Sequence, residues 1–152
     1  ASTVVEAVGA DKVGVRFSPL SPHNSMQDSN PVATFSHAAA LMQALGIAYV
    51  HVVEGLPGHR MFGEGARVTP HIRNAFKGML IANGGYDASL GNAAIATGEA
   101  DAISFGITFV ANPDLLSRLR HNQPLNAVNQ EHLYTPGPAG YTDYPPYQQA
   151  AA

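Results

Sequence analysis

The chain contains no cysteine. That excludes disulfides and thiolate metal sites, and it fits a cytoplasmic protein. Charge is scarce as well: charged residues make up 12% of the 152 residues, and the formal net charge is −3. So little positive charge implies no basic face, which argues against nucleic acid as a partner. No apolar run is long enough to span a bilayer, so no membrane partner is expected. The opening residues lack the pattern of a secretory leader, and no initiator methionine precedes Ala1. What remains is an ordinary globular composition, with 45% hydrophobic residues and the length of one domain.

The chain alternates two periodicities. STVVEAVGA, at 2–10, is helical: Val4, Val5 and Val8 share a face, and Thr3 with Glu6 has capping-box spacing. It reads as a short first helix or as the last turns of one in a larger fold. KVGVRFSP (12–19) reads as a buried parallel strand stopped by Ser-Pro. A loop, SPHNSMQDSNP, leads to Asn30 and Pro31, which open a helix closed by Gly46. IAYVHVVEG (47–55) is a second strand, followed by a glycine-rich loop and a short helix, HIRNAFKG. MLIANGG (79–85) is a third strand, before the small-residue helix DASLGNAAIATGEA. DAISFG (101–106) is the fourth, and NPDLLSRLRHN the helix after it, with Asn112 as its cap. The rest is a tail rich in proline, glycine and tyrosine.

Four strand–helix units over 1–123 and a tail over 124–152 make one α/β domain with a parallel sheet and right-handed crossovers. Two architectures remain open: a small doubly wound sheet, or half of an eight-stranded barrel. In both, ligands sit at the C-terminal ends of strands.

The third and fourth strands end in glycine, at Gly84, Gly85 and Gly106. Glycine lets backbone approach a ligand, and each loop feeds a helix start rich in free N–H groups. The pattern fits a phosphate site; plain turn glycines are the simpler reading. Arg16 alternates with Val15 and Phe17, so it faces away from the helices and needs an anion or another good acceptor. Glu54 or an electron-rich ligand edge could serve. His51 and Glu54, three apart, point to opposite faces, and the other histidines lack metal-ligand spacing. No Gly-x-Ser-x-Gly elbow is present. The tyrosines of the tail either pack or close over a strand-end pocket.

VGVRFSP, HNSM, YVHVVEG, LIANGGYD, AISFG followed by FVANPDLLSRL, PLN and LYTPGPAGYTDYP together resemble the second half of the old yellow enzyme family. Those proteins are FMN-dependent ene reductases on a TIM (β/α)8 barrel. The resemblance implies that this chain supplies strands five to eight, a half-barrel, plus the C-terminal tail. It implies that Arg16 lies against the pyrimidine edge of FMN. Asn83, Gly84 and Gly85 would form the phosphate loop after strand seven, and Phe105, Gly106 and Ile107 the loop after strand eight. Tyr134 would stand on the substrate side. Electrons would come from NADH or NADPH and go to an activated alkene, one conjugated to a carbonyl or nitro group. The substrate-gripping His/Asn or His/His pair and the proton-donating tyrosine belong to the other half, so no catalytic residue falls on this chain. A complementary N-terminal half, or self-association, is then the implied protein partner; the other reading is an inactive, isolated or engineered half-barrel fragment. Ile107 departs from the pattern. The family normally has an arginine or other cation there, paired with the FMN phosphate. Losing one charge-assisted bond costs about 1.5–3 kcal/mol, roughly ten- to a hundredfold in affinity.

Overall fold

A computed structural model describes residues 1–21, 26, 28–60, 62 and 65–148. Part of the loop expected before Asn30, including His23, Asn24 and Ser25 of the HNSM motif, lies outside the described residues. So do Met61, Gly63 and Glu64 of the glycine-rich loop. Two compact units emerge, Ala1–Ser104 and Phe105–Ala152.

The first unit opens with α1 (Ser2–Val8), a 3₁₀ turn (Ala10–Lys12) and β1 (Gly14–Phe17). Then come α2 (Pro31–Leu45), β2 (Tyr49–Val53), α3 (Thr69–Ala75), β3 (Met79–Asn83), α4 (Ala88–Ala96) and β4 (Ala102–Ile103). All three strand pairings are parallel, and the order is β1-β2-β3-β4. Each strand neighbours its successor, with no reversal of order. A doubly wound sheet needs a switch point where the order reverses. Its absence among the described strands favours the barrel type of sheet.

Local signals explain most of the boundaries. The Asn30 side chain accepts from Ala33 N at 3.1 Å, Pro31 occupies the first turn, and Gly46 at φ 65° ends α2. Asp87 caps α4 through Leu90 N at 2.8 Å. Helix α4 ends sooner than expected because Gly98, at φ 74°, turns the chain. The capping box at the start of α1 does not form: Ala1 is the N-cap and no side chain bonds there. Thr3 already lies inside the first turn, too late to cap it.

One face of the sheet makes the core. Val50, Val52, Leu80 and Ala82 are buried there, as are Ala39 of α2, Ile72 of α3 and Phe76 just after α3. Phe17 joins this side through an edge-on contact with Phe35 of α2, centroids 5.7 Å apart. β1 is less buried than its sequence suggests, alternating exposed and half-buried residues. It has a neighbour on one side only.

The second unit holds α5 (Ile107–Ala111), α6 (Leu115–Arg120) and the tail. The expected single helix capped by Asn112 is corrected here. Asn112 ends α5 instead, and Asp114 stands before α6 without a capping bond. The Asn112 amide is engaged elsewhere: it donates to Thr108 O at 2.8 Å and accepts from Asn126 N at 2.8 Å. The tail has no helix or strand among its described residues, but it is pinned. Arg118, buried, donates to Asp114 (2.6 Å), Pro124 O (2.6 Å) and Pro145 O (3.0 Å), and stacks on Tyr147.

Candidate functional site

In the first unit the site residues stand on the sheet face opposite the core. The register aligns Gly14 with Tyr49 and Met79, then Arg16 with His51 and Ile81. Asn83 belongs to the following row, and Ser104 lies beside it, two residues beyond Ala102. Neighbours in a row share a face, so Arg16, His51, Asn83 and Ser104 converge on one side. The first row is packed: the Tyr49 ring lies where a side chain at Gly14 would be.

The polar residues of that face form a chain of bonds. His51 Nε2 lies 2.9 Å from Ser104 Oγ. Asn83 Nδ2 donates to Ser104 O at 2.7 Å and to Ser104 Oγ at 3.1 Å. Partial burial, and then the Arg16 charge, push the His51 pKa below its usual value. At neutral pH the imidazole therefore adds no positive charge beside Arg16. Among the described residues, the face thus presents the Arg16 cation and the hydrogen-bonding groups of His51, Asn83 and Ser104.

Arg16 is exposed and does not pair with Glu54. Of the two partners open for Arg16, strand geometry removes Glu54. Glu54 follows Val50 and Val52 onto the core side, and Arg16 is on the other. There Glu54 is 3% exposed and caps α3 from a distance. It accepts from Val68 N (2.7 Å), Thr69 N (2.9 Å) and Thr69 Oγ1 (2.5 Å), with Arg67 Nε at 3.6 Å. Sequence reasoning missed this role. The signal was Val-Thr-Pro at 68–70, a helix start without its own capping side chain. No acidic group among the described residues pairs with Arg16.

The strand-end glycines differ in kind. Gly84, at φ 125°, sits against the backbone of the preceding strand end: an added Cβ would meet Glu54 C at 2.7 Å. Gly85, at φ 90°, lies under His59, whose Cγ would be 3.0 Å from such a Cβ. Both are needed for the close passage of two loops. Tyr86, next in NGGYD, is built into an ion pair: it receives Arg67 at 3.2 Å and donates to Glu99 at 3.1 Å, while Arg67 meets Glu99 at 2.7 Å.

In the second unit, Gly106 has φ −100° and open space where a Cβ would stand, so neither backbone nor packing demands glycine there. It precedes α5, whose start carries no side-chain cap. Phe105 and Ile107 flank it, both half-buried. Tyr134 is 59% exposed, has φ 63° and meets Tyr141 edge-on at 6.4 Å. A left-handed tyrosine is strained, and such strain concentrates at functional positions. Among the described residues, no group of three His, Asp or Glu could hold a metal ion.

Compared with known proteins, residues 2–126 match the model of the NADH:flavin oxidoreductase / NADH oxidase family. The chain is 44% identical over 147 residues to putative 12-oxophytodienoate reductase 11 of Oryza sativa subsp. japonica. That match covers 93% of this chain and 39% of the rice protein. The solved old yellow enzyme of Trypanosoma cruzi superposes with a TM-score of 0.87 at 38% identity, covering 96% of this chain and 38% of that one. Morphinone reductase in complex with tetrahydroNAD gives a TM-score of 0.83 at 34% identity, covering 97% and 39%. The chain thus spans about two fifths of the length of these relatives.

Proposed function

The chain belongs to the NADH:flavin oxidoreductase / NADH oxidase family, that of the old yellow enzymes, and on that premise we propose that it forms the flavin-phosphate side of an FMN-dependent alkene reductase. In this reading its strands are the fifth to eighth of a TIM barrel, and the complementary half supplies the rest. The reaction takes a hydride from NAD(P)H and reduces α,β-unsaturated carbonyl or nitro compounds. One observation carries the reading: Arg16 stands on the open sheet face beside His51, with no carboxylate among the described residues paired to it.

The residues fit a flavin where a cation is wanted. FMN, when bound, supplies hydride acceptance from a nicotinamide and hydride delivery to the β-carbon of the alkene. Arg16 would hold the pyrimidine edge and stabilise negative charge there by charge-assisted bonds. His51, its pKa lowered, would act there as a hydrogen-bonding group and not as a second cation. The Asn83–Ser104 bonds fix the ends of β3 and β4, from which the phosphate loops spring. In the first unit, Asn83, Gly84 and Gly85 would serve the phosphate; Phe105, Gly106 and Ile107 form the start of the second unit. Tyr134 stands toward the substrate.

The test is a denaturing intact-mass spectrum of the purified, desalted protein, followed by turnover with an activated alkene. A second polypeptide and released FMN support the assembled enzyme. This chain alone, without flavin and without turnover, supports the other reading: a self-associating half-barrel with no activity. The sheet's two unpaired edges and the exposed Tyr49 and Met79 favour association in either case. Ile107→Arg checks the phosphate position and should tighten FMN about ten- to a hundredfold. Unchanged affinity would put the phosphate elsewhere.

A further inference from the structure

A phosphate monoester needs a cation, and Ile107 provides none. The first unit has six cationic side chains: Lys12, Arg16, Arg60, Arg67, Arg73 and Lys77. Arg67 is held by Glu99, Tyr86 and Glu54. Arg73 is held by Asp101 and by the carbonyls of Phe76 and Gly78. Lys12 and Lys77 precede β1 and β3, at the ends of the strands away from the glycine turn. Arg16 lies within β1. Arg60 remains. It is exposed, follows the C-terminal end of β2, and has no ion pair among the described residues.

The loop that carries Arg60 is seated on the glycine turn. Leu56 N donates to Gly84 O at 2.8 Å, His59 N to Leu56 O at 2.9 Å, and Phe62 N to His59 O at 2.8 Å. His59 covers Gly85 at the near-contact distance given above, which only glycine allows. The loop's turns and the glycine pair therefore hold the backbone of His59 beside the Gly84–Gly85 turn, and Arg60 follows it directly in the chain. We propose that Arg60, with His59 beside it, is the phosphate-monoester anchor of this chain, standing in for the cation that position 107 lacks. The proposal deepens the flavin reading by assigning the cation for the FMN phosphate. Burial, and then the charge of Arg60, lower the His59 pKa, so the positive charge of this loop rests with Arg60. Arginine suits the task because its planar fork matches phosphate oxygens.

The experiment compares FMN with riboflavin, which lacks the phosphate, in fluorescence titrations of the 152-residue protein and its Arg60→Ala variant. Arg60→Ala should weaken FMN about tenfold and leave riboflavin unchanged, with Arg60→Lys in between. An FMN-to-riboflavin ratio equal in wild type and Arg60→Ala overturns the proposal while flavin binding stands. If neither flavin binds, the flavin reading fails, and inorganic phosphate decides the anchor. NMR signals of the His59 ring that shift with phosphate in wild type but not in Arg60→Ala sustain it. Signals that ignore phosphate in both overturn it.

Discussion

Removing the Glu54 carboxylate should unfold the first unit more readily than any single change to the exposed sheet face. The side chain is 3% exposed and accepts three hydrogen bonds from the start of α3, two from backbone and one from Thr69. Glu54→Gln keeps the shape but turns one acceptor into a donor facing another donor. Weakening charge-assisted bonds and stranding a buried N–H costs about 2–3 kcal/mol. Glu54→Ala strands all three donors and leaves Arg67 without one of its carboxylates, about 3–5 kcal/mol. Against a total stability of about 5–15 kcal/mol these are large fractions. In urea, with a slope of about 2 kcal/mol/M, the Gln variant should lower the midpoint by about 1–1.5 M and the Ala variant by more. Circular dichroism reads both. A midpoint unmoved by either variant would refute the remote cap. A double-mutant cycle with Arg16→Ala separates the two faces: the effects should add within about 0.5 kcal/mol. Strong coupling would mean that Arg16 and Glu54 interact after all.

The two kinds of strand-end glycine should respond differently. Gly84→Ala meets the Glu54 backbone at φ 125° and should cost about 1–3 kcal/mol, whereas Gly106→Ala, with open space at its Cβ, should leave the melting temperature within about 2 °C of wild type. Arg118→Met removes a buried guanidinium that ties α6 to Pro124 and Pro145; about 3–5 kcal/mol of local stability should go, read as faster hydrogen exchange at Gln123 and Tyr147. Asp101 is held below the usual carboxylate range by the Leu80 N–H, and then by Arg73. Its folded pKa is depressed, so its contribution is complete above the unfolded value of about 3.9 and fades as pH falls through the lower folded value. Acid titration of Asp101→Asn should therefore show a shallower loss of stability below about pH 4 than wild type, and an unchanged acid slope would count against the pairing.

Signals confined to a few neighbouring residues were legible in the sequence. Asn30, Pro31 and Gly46 bound α2 because cap, first-turn proline and left-handed glycine act within one turn. The alternation in β1 to β3 put Arg16 and Glu54 on opposite faces, although their pairing remained an open option until the register was known. The misreadings came where tertiary contact overrode local pattern. Asn112 has the sequence of a cap, yet its amide is spent on Thr108 and Asn126, fourteen residues further on in the latter case. Five residues before it, Ile107–Ala111, form a helix of their own in the segment expected to be a bare loop. The Gly84–Gly85 pair was legible as a special turn, but not the reason for it. That reason is a second loop, carrying His59, laid across it from nearly thirty residues away.

The open sheet face is sorted along the strands, and that sorting bears on how the fold serves function. Its first row is Gly14, Tyr49 and Met79, with Tyr49 and Met79 39% and 53% exposed. The next holds Arg16, His51, Ile81 and Ala102, and the last Val53 and Asn83 with Ser104 beside them. Polar side chains thus enter among apolar ones toward the C-terminal ends. A sheet meant to be covered by helices on both faces has no use for such a gradient, because a helix would bury Arg16 without a partner, at a cost of several kcal/mol. A barrel interior has a use for it: side-chain layers fill the lower part, and the strand ends hold ligands. Two other features agree. The strands follow one another without reversal, and the carboxylate nearest in sequence to that face, Glu54, is spent on the core side. Arg16, exposed and without a carboxylate partner among the described residues, keeps its charge for a further partner on the open face.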